Sequence, residues 1–362
     1  MVIKRIFTTF IFTLLLCTIC SVQLFAEEQP AKVSYSVVHK FDPDIPPQGI
    51  AFFNDKTLLV AISQHFGANN RVGKIGIGSY DSTPFPNKEW GRAPKSAGGI
   101  GLFNVAQVHI VDNIAWILDQ AEKEGEPAKI LGWDIVKNRF YRVFYIYPPV
   151  LTPKSLLHDF VVDNSKNVIF ITDESAALIV LNTTTGHSRR VLDQDRSTIS
   201  QDIPLIINGK SVKLNGKPFF AGAAPLALDL KKEWLYFGAF SGHDLYRIKV
   251  SDLINTDLSG KDLSARVAHF AKRPITGSIV FTKKGNIVLS DVAASGIGMI
   301  SKDKVYKVLF KDNKKLQWIE GLLEKDDGFI YGVSTQRQGA PSFNDGVNRS
   351  TPPFLMIKFK EE

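Results

Sequence analysis

The chain has 362 residues, a formal net charge of +8, 22% charged and 44% hydrophobic residues, and two cysteines. That is long enough to bury a large core without disulfide staples. Its lysines are scattered rather than clustered, which argues against a nucleic-acid-binding face.

Lys4 and Arg5, the apolar stretch Ile6 to Cys20, and the small Ala26 before Glu27-Glu28 read as a secretory signal peptide, residues 1–26. Left uncleaved, the same stretch would be a membrane anchor. Leu24 marks the cut site less sharply than a small residue would, and Ile19 argues against lipid modification of Cys20. Cleavage removes Lys4, Arg5, Cys17 and Cys20, so the charge falls to +6 and no thiol remains for a disulfide, a metal or nucleophilic catalysis. The mature chain is expected to be secreted or periplasmic, free of membrane and monomeric.

From residue 27 onward, six segments share one layout: a short apolar strand, a polar turn, an apolar–aromatic strand, and a small or acidic residue. They run from Gln48 to Ser63, Gln107 to Asp119, His158 to Asp173, Pro225 to Gly238, Gly277 to Asp291 and Glu320 to Ser334. A third strand follows each pair ("KILGWDI", "ALIVLN", "HDLYRIKV", "GIGMIS"), and usually a more polar fourth ("YRVFYIY", "ARVAHFA"). The apolar runs are short, β-branched and aromatic, and a sustained 3.6-residue period is lacking, so strands are expected and helix is not. Four strands per unit, six times over, predict an all-β six-bladed β-propeller spanning residues 27–362. An open ring would leave two sheet edges free, so the N-terminal strand within Val33 to Phe41 should complete the last blade beside Phe354 to Phe359. Ile203 to Phe219 is an insertion between the third and fourth units. Its Asn208-Gly209 and Asn215-Gly216 pairs suggest an extra hairpin.

Several pieces, in order, resemble the major royal jelly protein/yellow family. They are "STPFPNKEW", "VDNIAWILDQA", "AKILGWDI", "SLLHDFVVD", "FITDESAALIVLNTTTGHSRRV", "PLALDLKKEWLYFGAFSGHDLYRI" and "LQWIEGLLEKDDGFIYGVS". The resemblance covers almost all of the mature chain and implies a secreted six-bladed propeller. It fixes no activity, since the family is similar to insect proteins of pigment metabolism, food storage and small-amine binding.

In a propeller, the innermost strand of each blade starts where its antiparallel neighbour ends, so these termini gather at one mouth of the channel. Gln48, His65, Phe66, Asp119, Asp159, Asp173, Phe240, His243, Thr276, Asp291 and Arg337 are thus candidate ligand-binding residues for a small aromatic or amine molecule, such as a catechol or indoleamine. Aspartates after strands also commonly cap tight turns, which is the competing reading of Asp119, Asp173 and Asp291. His158, with Glu320 across the channel, is the candidate catalytic pair for a dopachrome-type isomerase, His158 serving as the base. A hydrolase at the same mouth, or a protein-interaction scaffold, are the alternatives. The similar gluconolactonase/senescence-marker propellers hold a divalent cation with one Glu, two Asn and one Asp. The matching positions here are Gln48, His158, Ala224 and Thr276, so neither metal nor cofactor is expected.

Overall fold

The computed structural model describes residues 34–94, 99–120 and 127–361. The expected signal segment, with Cys17 and Cys20, lies outside the described residues. Six four-stranded antiparallel sheets form the ring. Their innermost strands are Pro47–Asn54, Asn104–Val111, Leu157–Asp163, Ala223–Leu228, Ile279–Phe281 and Ile319–Glu324, and each touches the next, the sixth returning to the first. The closing sheet runs outward through Ile319–Glu324, Ile330–Ser334 and Phe354–Phe359 to Ser36–Phe41. There Phe41 pairs with Phe354 and Ser36 with Lys358, so the N-terminal strand does complete the last blade.

Each blade buries both faces, which explains why its second strand carries an unbroken apolar run rather than an alternating one. In the first blade, Leu59 and Ala61 pack toward the second, while Leu58, Val60 and Ile62 pack toward the sixth. In the second, Ile117 faces back and Trp116 and Leu118 face forward. The core is therefore six wedges between neighbouring blades. Emptying one, as in Leu59→Ala at a fully buried position, costs about 2–5 kcal/mol.

A seventh cluster roofs part of the mouth. It joins Phe219, Phe240, Trp318 and Phe343 to Leu205, Ile207 and Val212. The insertion forms two hairpins rather than one, Ile206–Ile207 with Lys210–Ser211 and Lys213–Leu214 with Lys217–Pro218. Each turns on one Asn-Gly pair with both residues at positive φ, at Asn208-Gly209 and at Asn215-Gly216.

Two short helices, Val250–Ile254 and Gly260–Arg266, depart from the all-strand reading. They lead into the outer strand Ala268–Lys272, so helix occupies the start of "ARVAHFA". The second helix begins with a capping box between Ser259 and Asp262. No helix among the described residues is long and apolar enough to cross a membrane.

Candidate functional site

Register irregularities sit at the start of five of the six inner strands. Gln48 and Ala106 are single extra residues, whereas His158-Asp159, Ala224-Pro225 and Gly321-Leu322 stand opposite one residue each. Such bulges re-aim side chains, and here they lie where the strands approach the channel. Gln48, Ser63, Ala106, Gln107, His158, Glu320, Thr335 and Arg337 line one cavity there. Its free space is about 10 Å³, one water's worth.

Close backbone approach makes this centre compact. A Cβ on Gly277 would meet the Glu320 carboxylate at 2.3 Å, and one on Gly49 would coincide with the Gln107 amide. Gly321 holds φ at +61° with Gly49 Cα 3.1 Å from the place its Cβ would take, a combination open to glycine alone.

His158 is the hub. Its Nδ1 lies 2.8 Å from Glu174 Oε1, and its Nε2 lies 3.1 Å from the Gly277 carbonyl and 3.7 Å from Glu320 Oε2. The side chains of His158, Glu174 and Glu320 are 8%, 7% and 6% exposed. Burial alone would push the imidazole pKa down, but the Glu174 and Glu320 carboxylates outweigh it and raise the value to about 10. Glu174 falls below the ordinary carboxylate range: Arg337 and His158 together overcome the upward push of burial. Trp318 donates its indole N–H to Glu320 Oε1 at 2.8 Å. At rest His158 carries a proton, which makes it a donor and an acid. The base role expected of it requires the neutral ring.

Arg337 closes the cluster. It is 6% exposed, its guanidinium lies 5.5–5.8 Å from the ring centres of Trp318, Phe219 and Phe343, and Glu174 is 3.7 Å away. Its Nε is buried with no hydrogen-bond partner. His65 stands near Arg337 and Glu174; burial, aided by Arg337, pushes its pKa down to about 3 and keeps it neutral. Two acidic side chains, Glu174 and Glu320, thus face two basic ones, His158 and Arg337.

Other expected residues are occupied elsewhere. Asp119 accepts from the Phe103 and Asn104 amides and pairs with Lys129 at 3.2 Å. Asp173 takes Ser155, the Leu156 and Ser175 amides, and Arg190. Asp291 takes the Ala294 amide and the Tyr306 hydroxyl. These three cap loops, as the competing reading had it. Asp159 bonds the Phe160 amide and His109 at 3.0 Å. Phe240 is fully buried under the roof, Phe66 packs edge-on against Phe354, and Thr276 donates to the Pro274 carbonyl. His243 is exposed and bonds the Arg273 carbonyl. Sequence reasoning missed Glu174, Trp318 and Thr335. Glu174 was the most legible of them, being the acidic residue after a strand-end aspartate.

The divalent-cation set of the similar lactonases does not fit: Ala224 offers a methyl group, Thr276 is turned to Pro274, and His158 is committed to Glu174. Among the described residues, no group of three His, Cys, Asp or Glu side chains could hold a metal ion.

A six-bladed ring with a small polar cavity at its centre defines the class. The chain belongs to the major royal jelly protein family, whose sequence model matches residues 111–346. No curated protein matches the sequence. Among solved structures, a protein of unknown function from Bacteroides thetaiotaomicron is 10% identical, with a TM-score of 0.56 over 90% of this chain and 75% of its own. A luciferin-regenerating enzyme is 11% identical, with a TM-score of 0.54 over 91% and 95%. A gluconolactonase from Xanthomonas campestris is 10% identical, with a TM-score of 0.53 over 90% and 89%. At such identities the likeness is one of fold.

Proposed function

We propose that this propeller is exported through residues 1–26 and binds a small aromatic molecule of the catechol, quinone or indole class at the channel mouth. The ligand's oxygen-bearing edge docks on Arg337 and His158. The carrying observation is the Arg337 guanidinium, buried beside the cavity with its Nε unpartnered; a buried donor left unmade costs about 1–3 kcal/mol. An amine is the poorer anchor, because the aspartates that would have formed an acidic ring are spent on loop amides. The cavity holds about one water, so a ring enters only if the mouth widens; Phe219 of the roof insertion packs on Arg337, which makes the roof the element we propose to move.

The test is calorimetry and thermal shift with catechol, an aminochrome quinone, indole-2-carboxylate and tyramine. The oxygen-rich probes should raise the melting temperature and tyramine should not. Arg337→Gln, and the milder Gln48→Ala at the half-buried rim, should weaken binding by tenfold or more. Silence from every probe overturns the reading.

A second reading, isomerase action, is favoured by the 3.7 Å separation of protonated His158 from Glu320. His158 would donate to a carbonyl oxygen while Glu320 takes a carbon-bound proton. Unchanged dopachrome turnover in His158→Gln would remove that role.

A further inference from the structure

An open groove of about 560 Å³ lies between the second and third blades, at the end of the ring opposite the channel mouth. Trp116, Tyr141, Arg142 and Phe144 of the second blade form one wall, and turn residues including Asn164 and Thr183 of the third form the other.

The second blade is locally rebuilt to make this wall. In its outer strand Arg139–Ile146, Arg142 pairs with Gly132 and Phe140 with Trp133, which leaves Tyr141 as an extra, bulged residue. Strand alternation would otherwise put Phe140 on the groove side with Arg142 and Phe144, and Tyr141 on the far side. Instead Phe140 stacks on Trp90 at 6.4 Å, toward the first blade, and Tyr141 meets Trp116 edge-on at 5.7 Å. Gly132 makes the space: a Cβ there would lie 2.8 Å from the Trp116 ring and 3.1 Å from Tyr141. Core packing does not account for the result, because Tyr141 stays 51% exposed.

Planar polar groups surround this ring. Asn164 donates to Asp112 at 2.6 Å across the two blades, and Arg142 donates to the Thr183 carbonyl at 2.5 Å. Both contacts hold side chains in fixed positions on the groove, while Asp112 and Arg142 cancel in charge. A half-exposed aromatic face backed by Trp116 and flanked by amide, carboxylate, guanidinium and hydroxyl groups, with no net charge, matches one ligand chemistry. A sugar ring has an apolar C–H face and a hydroxyl edge that both donates and accepts.

We propose that this groove is a binding site for a neutral oligosaccharide, with Tyr141 as the stacking platform and Asp112, Asn164 and Arg142 reading the hydroxyls. It is independent of the site at the channel mouth.

The experiment titrates the folded mature chain with xylotriose, cellotriose, maltotriose and tri-N-acetylchitotriose, by calorimetry and saturation-transfer NMR. At least one should bind, and Tyr141→Ala should weaken it about tenfold or more while leaving the melting temperature in place. If that variant proves destabilised, Asn164→Ala carries the same expectation. A sulfated trisaccharide should gain nothing at low salt. Absence of binding by all four probes overturns the proposal. Binding that survives both substitutions does so equally, because it puts the sugar elsewhere.

Discussion

Protonated His158 between Glu174 and Glu320 links the centre of the ring to pH. The group's pKa is about 10 in the folded chain against an ordinary 6.5. Its contribution to stability is therefore complete below about pH 6.5 and is lost as pH rises toward 10, by up to about 1.4 kcal/mol per pH unit. Wild-type melting temperature should fall across that window, and His158→Gln should flatten the profile there; parallel profiles would refute the pairing. Gly321 gives a second expectation at this scale. Gly321→Ala forces an L-residue into the left-handed region at about 1–2 kcal/mol, with its methyl group against Gly49, and urea denaturation should show at least that loss.

Among elements, the roof is held by its buried apolar side chains rather than by long strand pairing. Each of its two hairpins has only two paired positions per strand, and the Asn215 amide reaches the Ser342 carbonyl at 3.1 Å. Residues 27–362 contain no cysteine, so Asn215→Cys with Ser342→Cys in that stretch would supply a single lock. Oxidation should abolish ligand binding at the mouth and reduction should restore it; binding to the oxidised form would mean that the roof does not move. The strands themselves were legible because two buried faces demand unbroken apolar runs such as Val168 to Ile171. Two features of the elements were hidden. Bulges at the strand starts arise from how blades meet around the axis, which no local pattern records. The helix Gly260–Arg266 is too short for periodicity, and its one signal was Ser259 three residues before Asp262. The site was half legible for a related reason. An aspartate after a strand reads the same whether it faces a ligand or its own loop, and Asp119, Asp173 and Asp291 each accept loop amides. His158, Glu320, Gln48 and Arg337 do line one cavity.

At the scale of the whole molecule, the ring depends on Ser36–Phe41, the outer strand of the last blade. Without it, Phe354–Phe359 becomes an open edge of hydrogen-bonding groups. A chain lacking residues 36–41 should self-associate in size-exclusion chromatography. A synthetic peptide of that segment should return it to monomer by strand addition; a deletion that stays monomeric would show that the seam is dispensable. The seam also sets an order in time. Phe41 finds its partner only when Phe354 has been made, so a nascent chain holds its first strand idle until nearly the last one emerges. A chain that stops short of Phe354 leaves Ser36–Phe41 with no strand to pair with and the ring unsealed.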